Sequence, residues 1–105
     1  MLRIYSDVLE VVALLNPVIE VLERKDPDLA NQCRRARSSM PLNLREGSHG
    51  RGKSRSNRYS FVAGSADEII AILDTGVACE YFAPLPELSE KLRKIVGTMV
   101  KCMKR

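Results

Sequence analysis

Apolar residues recur at steps of three and four along nearly the whole chain, and that periodicity leaves room for little but helices. Ile4, Val8, Val11, Val12, Leu15, Ile19 and Leu22 form one stripe. Leu29, Cys33, Ala36, Met40 and Leu44, with Asn43 beside them, form a second. Phe61, Val62, Ser65, Ile69, Ile72, Leu73, Gly76 and Val77 form a third, and Leu88, Leu92, Ile95, Val96, Met99 and Met103 a fourth. No segment alternates as a strand does, and no internal repeat stands out.

Local punctuation places the helix ends. A first helix is expected over residues 3–24, kinked or split near Ala13 to Asn16 because Pro17 lacks a backbone donor. Asp26 can cap a second helix, with Pro27 at its first position and Asp28 in its first turn. That helix should run to about Glu46, bend at Pro41 and stop at Gly47. Ser48 to Ser54 reads as a loop, after which Ser54 or Ser56 can cap a third helix reaching about Phe82. Gly64 and Gly76 inside it cost about 1 kcal/mol each relative to Ala, which implies close helix approach. Pro84 and Pro86 open a fourth helix that ends near Met103. Short links between long helices make neighbours antiparallel, so the expected fold is all-α, a single up-down-up-down four-helix bundle over residues 1–105. Leu9 and Val18 lie outside the first stripe, and that surplus points to burial against another subunit.

A chain of 105 residues without Trp is one domain with a modest aliphatic core. No apolar run approaches the roughly 18 residues of a membrane span, since Val8 to Leu22 is broken by Glu10, Asn16, Pro17 and Glu20. No secretory signal is visible, so a cytoplasmic location is expected. Cys33, Cys79 and Cys102 are odd in number and lack CxxC spacing, which suits reduced thiols. With His49 the sole histidine and no Glu-x-x-His step, no metal site, cofactor or catalytic residue is expected.

Charge is concentrated in one place. Residues 29–58 hold eight Lys or Arg and one acid, Glu46, a local +7 against −3 before them and zero after, so this segment supplies the whole net +4. Arg45, Arg51, Lys53, Arg55 and Arg58 are therefore the candidate phosphate-binding residues, because Lys and Arg displace counterions from nucleic acid. Tyr59 and Phe61 flank Arg58 and suit either base stacking or burial. Gly47 to Ser54 matches the letters G-x-x-x-x-G-K-S of a P-loop, but a P-loop needs a preceding strand and this chain has a helix there. Arg35, Ser39, Asn43 and Glu46 line one side of the second helix and, with Ser65 and Glu68, form a candidate polar network. It reads as structural, with Glu68 paired to Arg35, rather than as an acid/base pair of Glu46 and Glu68.

Gln32, Arg35-Ala36, Ser39, Pro41, Asn43, Glu46-Gly47 and Arg51 follow the order Q-x-x-R-A-x-x-S-I-P-x-N-I-A-E-G-x-x-x-R, and Phe61, Ala63-Gly64-Ser65 and Glu68 follow F-x-x-A-x-G-S-x-x-E-L. This resembles the bacterial four-helix-bundle proteins encoded in intervening sequences of large-subunit ribosomal RNA genes, relatives of the accessory variability determinants of diversity-generating retroelements. The resemblance covers about residues 29–82; Met40, Leu44, Arg45 and Ile69 depart from it, Arg45 by placing a charge where the family has a small residue. It implies a homo-oligomer, a pentameric barrel of bundles, with a nucleic-acid enzyme such as a reverse transcriptase as a protein partner. The expected function is a non-catalytic module that binds RNA or DNA through the phosphate backbone. A purely structural or protein-adaptor oligomer is the alternative, and a nucleotide-binding enzyme built on Gly47 to Ser54 a third reading.

Overall fold

A computed structural model describes residues 2–104, Leu2 by its backbone alone. Five helices, α1 (Leu2–Leu14), α2 (Asn16–Lys25), α3 (Pro27–His49), α4 (Gly52–Ala78) and α5 (Pro86–Met103), make a four-helix bundle in which α1 and α2 form one interrupted rod. The interruption falls at Leu15, where Pro17 withholds a donor, while Leu15 N donates to Val11 O at 3.0 Å and Ile19 N to Leu15 O at 2.9 Å. The rod packs on α3 and α5, and α4 closes the bundle between α3 and α5, so neighbours run antiparallel.

The four stripes meet in one core. Val8, Leu15 and Leu22 from the rod, Cys33, Met40 and Leu44 from α3, Tyr59, Val62 and Ile69 from α4, and Leu92, Ile95 and Met99 from α5 are fully or almost fully buried. Among the described residues no charged or polar side chain is buried, as an interior without spare hydrogen-bonding partners requires. Val18, expected outside the first stripe, is buried as well, because it lies three residues after Leu15 and four before Leu22 on the same helix face.

Three boundaries differ from the sequence reading. Helix α3 passes through Gly47 and ends at His49, with Gly50 as its C-cap. The reason is packing: a Cβ at Gly47 would stand 2.7 Å from Cε1 of Tyr59, so glycine here admits a ring rather than ending a helix. The expected loop from Ser48 to Ser54 shrinks to Gly50 and Arg51, since Gly52 takes φ +56° and starts α4 four residues before Ser56. Helix α4 stops at Ala78, short of Phe82. The Phe82 ring instead folds back over Gly76, where a Cβ would overlap it. Gly64, by contrast, has open space around it, so no neighbouring helix within this chain accounts for it.

Asp26 binds two ends of the fold together. Its Oδ1 accepts from Leu29 N at 3.1 Å, capping α3, and its Oδ2 accepts from Tyr81 Oη at 3.1 Å, tying the α2–α3 turn to the α4–α5 link. That link opens with Glu80 N donating to Val77 O at 3.0 Å and Tyr81 N to Gly76 O at 2.8 Å, a Schellman closure with Glu80 at φ 64°, where glycine is usual. An L-residue there is strained by about 1–2 kcal/mol. Glu80→Gly relieves it while gaining chain entropy in the unfolded state, a net gain of about 0.5–1 kcal/mol. Calorimetry should show a melting temperature higher by roughly 3–6 °C; an unchanged or lower value means the strain is absent.

Candidate nucleic-acid interface

The up-down order gathers four helix ends at one pole: the start of α1, the end of α3, the start of α4 and the end of α5. Arg45, Arg51, Lys53, Arg55 and Arg58 all lie there. So do Arg3, Lys101 and Lys104, which the segment-by-segment charge count passed over. Asp7 and Glu46 are the acids of this pole. The opposite pole carries Glu20, Glu23, Asp26, Asp28, Asp74, Glu80, Glu87 and Glu90, with Arg24, Lys25, Arg34, Lys91 and Arg93. The charge is therefore divided along the 42 Å long axis.

The five predicted phosphate ligands differ in what holds them. Arg51 and Lys53 are exposed and take part in no hydrogen bond or ion pair among the described residues. Arg55 donates Nε to Tyr59 Oη at 3.3 Å and lies over that ring at 5.5 Å, which holds its guanidinium at the surface and raises its pKa through that hydrogen bond. Arg45 lies over the Tyr5 ring at 5.5 Å, joining α3 to α1. Arg58 turns toward α3, donating Nη1 to Asn43 Oδ1 at 3.0 Å, with Nη2 3.9 Å from Glu46 Oε2. It is the least free of the five.

The polar network forms on the α3–α4 seam with a different membership from the one expected. Ser65 Oγ donates to Ser39 Oγ at 2.9 Å, and Asn43 Nδ2 donates to Ser39 O and Oγ at 2.9 Å each. Arg58 completes the chain and brings in Glu46. Arg35 and Glu68 stay outside it: both are exposed, and no ion pair within 4.0 Å involves either among the described residues. Ser39, Asn43, Ser65 and Arg58 already satisfy one another across the seam, and Arg35 and Glu68 stay in solvent.

Tyr59 is fully buried and cannot stack on a base, whereas Phe61, expected inside, is 54% exposed. Leu42, 66% exposed, lies at about the same level across the seam, as the Ser39–Ser65 and Asn43–Arg58 pairs fix the register. The helical spans of α3 and α4 contain most of the P-loop letters, so Gly47 to Ser54 forms no phosphate-cradling loop. No group of His, Cys, Asp and Glu among the described residues could hold a metal ion. No described helix is long and apolar enough to cross a membrane. Compared with known proteins, the chain matches no family model, no curated protein and no solved structure.

Proposed function

We propose that the protein is a non-catalytic, cytoplasmic homo-oligomer that binds RNA or DNA through the phosphate backbone at its basic pole. The observation that carries the reading is the gathering of eight cations, Arg3, Arg45, Arg51, Lys53, Arg55, Arg58, Lys101 and Lys104, against Asp7 and Glu46 at one end of the bundle. Oriented Lys and Arg on phosphates release counterions and read no base, so the affinity is general and salt-sensitive. The first turn of α4 adds backbone N–H groups without a side-chain cap, facing the same way.

Self-association is supported by Leu42 and Phe61, which place exposed apolar surface on the outer α3–α4 face, two turns from Arg35 and Glu68 toward the basic pole. A pentamer, as the intervening-sequence resemblance implies, repeats the basic pole and raises avidity without new contacts. On the same resemblance, the partner enzyme is a reverse transcriptase or another nucleic-acid enzyme.

Light scattering should return a multiple of the 11.8 kDa chain mass. Anisotropy titrations with duplex and single-stranded probes of mixed sequence should give affinities that barely depend on sequence and fall steeply with salt. No binding at low ionic strength would leave a purely structural or protein-adaptor oligomer as the function, and a monomer would remove the assembly.

A further inference from the structure

A groove of about 680 Å³ runs between α1 and α5 on the side away from the α3–α4 seam. Arg3 and Asp7 line it from α1, and Lys94, Gly97, Thr98 and Lys101 from α5. One end is closed by an ion pair, Lys91 Nζ to Glu10 Oε1 at 2.6 Å. The other end opens at the basic pole, because Arg3 and Lys101 belong to both. With Lys91 and Glu10 neutralising each other, Arg3, Lys94 and Lys101 face Asp7 alone. None of those three cations forms an ion pair within 4.0 Å among the described residues.

Gly97 is the informative residue. It sits inside α5 with ordinary helical backbone, where glycine costs about 1 kcal/mol relative to Ala. A Cβ there would meet nothing within 4 Å, so no packing inside the chain calls for its absence. What the missing side chain does is leave the floor of the groove open between Lys94 and Lys101. Those two lysines lie two turns apart on one side of the helix, about 10 Å along its axis.

We propose that this groove holds a single strand of nucleic acid by its phosphates, with Arg3, Lys94 and Lys101 as the contacting residues. The proposal rests on the nucleic-acid reading of the basic pole and extends it to a track. Packed helix axes stand about 8–10 Å apart, so a crease between them admits an extended strand, whereas a duplex can only rest on its rim. The lining holds no aromatic side chain to stack on, so the strand is held by charge and its bases are not read.

The chain carries its own reporters. Cys102 lines the groove, and exposed Cys79 lies at the opposite pole. Cys33 is silent, since burial pushes its thiol up to about 11, with Glu68 adding to the shift and Arg37 and Arg34 only partly opposing it. The experiment measures alkylation of Cys102 and Cys79 by mass spectrometry, with and without a fluorescein-labelled oligothymidylate whose binding is followed by anisotropy. At about ten times the Kd, occupancy should slow Cys102 about tenfold and leave Cys79 unchanged. Lys94→Ser with Lys101→Ser should flatten the salt dependence for the single strand by about 1.4 log units per log unit of salt, 0.7 for each lost contact.

Bound oligothymidylate with both cysteines alkylated at their free rates overturns the groove and leaves the basic pole standing. So does a Cys102 that fails to react in the free protein, since the groove would then be closed. Equal protection by an oligoglutamate of matched length makes it a general anion site and overturns the assignment to nucleic acid. A wild-type protein that shows no anisotropy change at low salt removes both the basic-pole reading and this one.

Discussion

Tyr59→Ala should lower the unfolding free energy by about 3–5 kcal/mol, the usual cost of emptying a large aromatic site in a core. Tyr59 is fully buried, its ring lies against the Cα of Gly47, and its hydroxyl accepts from Arg55. The loss is a large share of the 5–15 kcal/mol that holds a domain together. The same contact makes Gly47→Ala unfavourable. Its methyl would stand 2.7 Å from a ring with no free space to retreat into, so overpacking of about 1–3 kcal/mol outweighs the roughly 1 kcal/mol gain in helix propensity. Placed in the Tyr59→Ala background, Gly47→Ala should cost much less, because the ring has gone and only the 3.1 Å approach to Arg58 Cβ is left against the propensity gain. Urea melts of the two single variants and the double one form a cycle that reads this coupling directly. Additive effects would mean that the ring and the glycine do not define each other's position.

Replacing Arg51 and Lys53 with Ser should flatten the salt dependence of duplex binding by about 1.8 log units per log unit of salt, 0.9 for each phosphate contact. Adding Arg55→Ser should bring the change to about 2.7. The pair comes first because Arg51 and Lys53 support nothing inside the chain, whereas Arg55 also serves the Tyr59 hydroxyl, and its loss carries a stability cost of its own. A double variant with wild-type mass by light scattering and an unaltered melt isolates the binding effect. If it binds duplex with the original affinity and slope, the α3–α4 turn takes no part in binding, and the adaptor reading gains.

The fold was legible wherever the signal was local. Pro17 breaks the first rod, Asp26 caps α3 and Pro86 starts α5 for reasons contained within one turn of chain. Gly47 misled because a glycine near a helix end signals a stop only when nothing else needs its space. What needs it here is a ring twelve residues further on, brought back by the hairpin. Phe61 fits the α4 stripe by count, yet it falls at the edge of the seam that Ser39 and Ser65 fill. At the site, the five cations of one contiguous segment could be found from composition. Arg3, Lys101 and Lys104 become their neighbours only through topology, although the antiparallel order already implied it. The Arg35–Glu68 pairing rested on both residues following the family-like motif and on the cost of leaving a buried charge unpaired; both are exposed, so that cost does not arise.

The division of charge along the long axis bears on how copies can stand together. A closed ring with rotational symmetry points every protomer the same way. Side by side in that order, the cationic ends crowd one another, and so do the acidic ends. A polyanion lying across neighbouring cationic ends relieves the first of these repulsions. Ring formation and polyanion capture then become a single linked equilibrium, each favouring the other by the same coupling free energy. Salt separates the two: screening relaxes the crowding and helps empty rings close, while the same screening loosens the polyanion's grip.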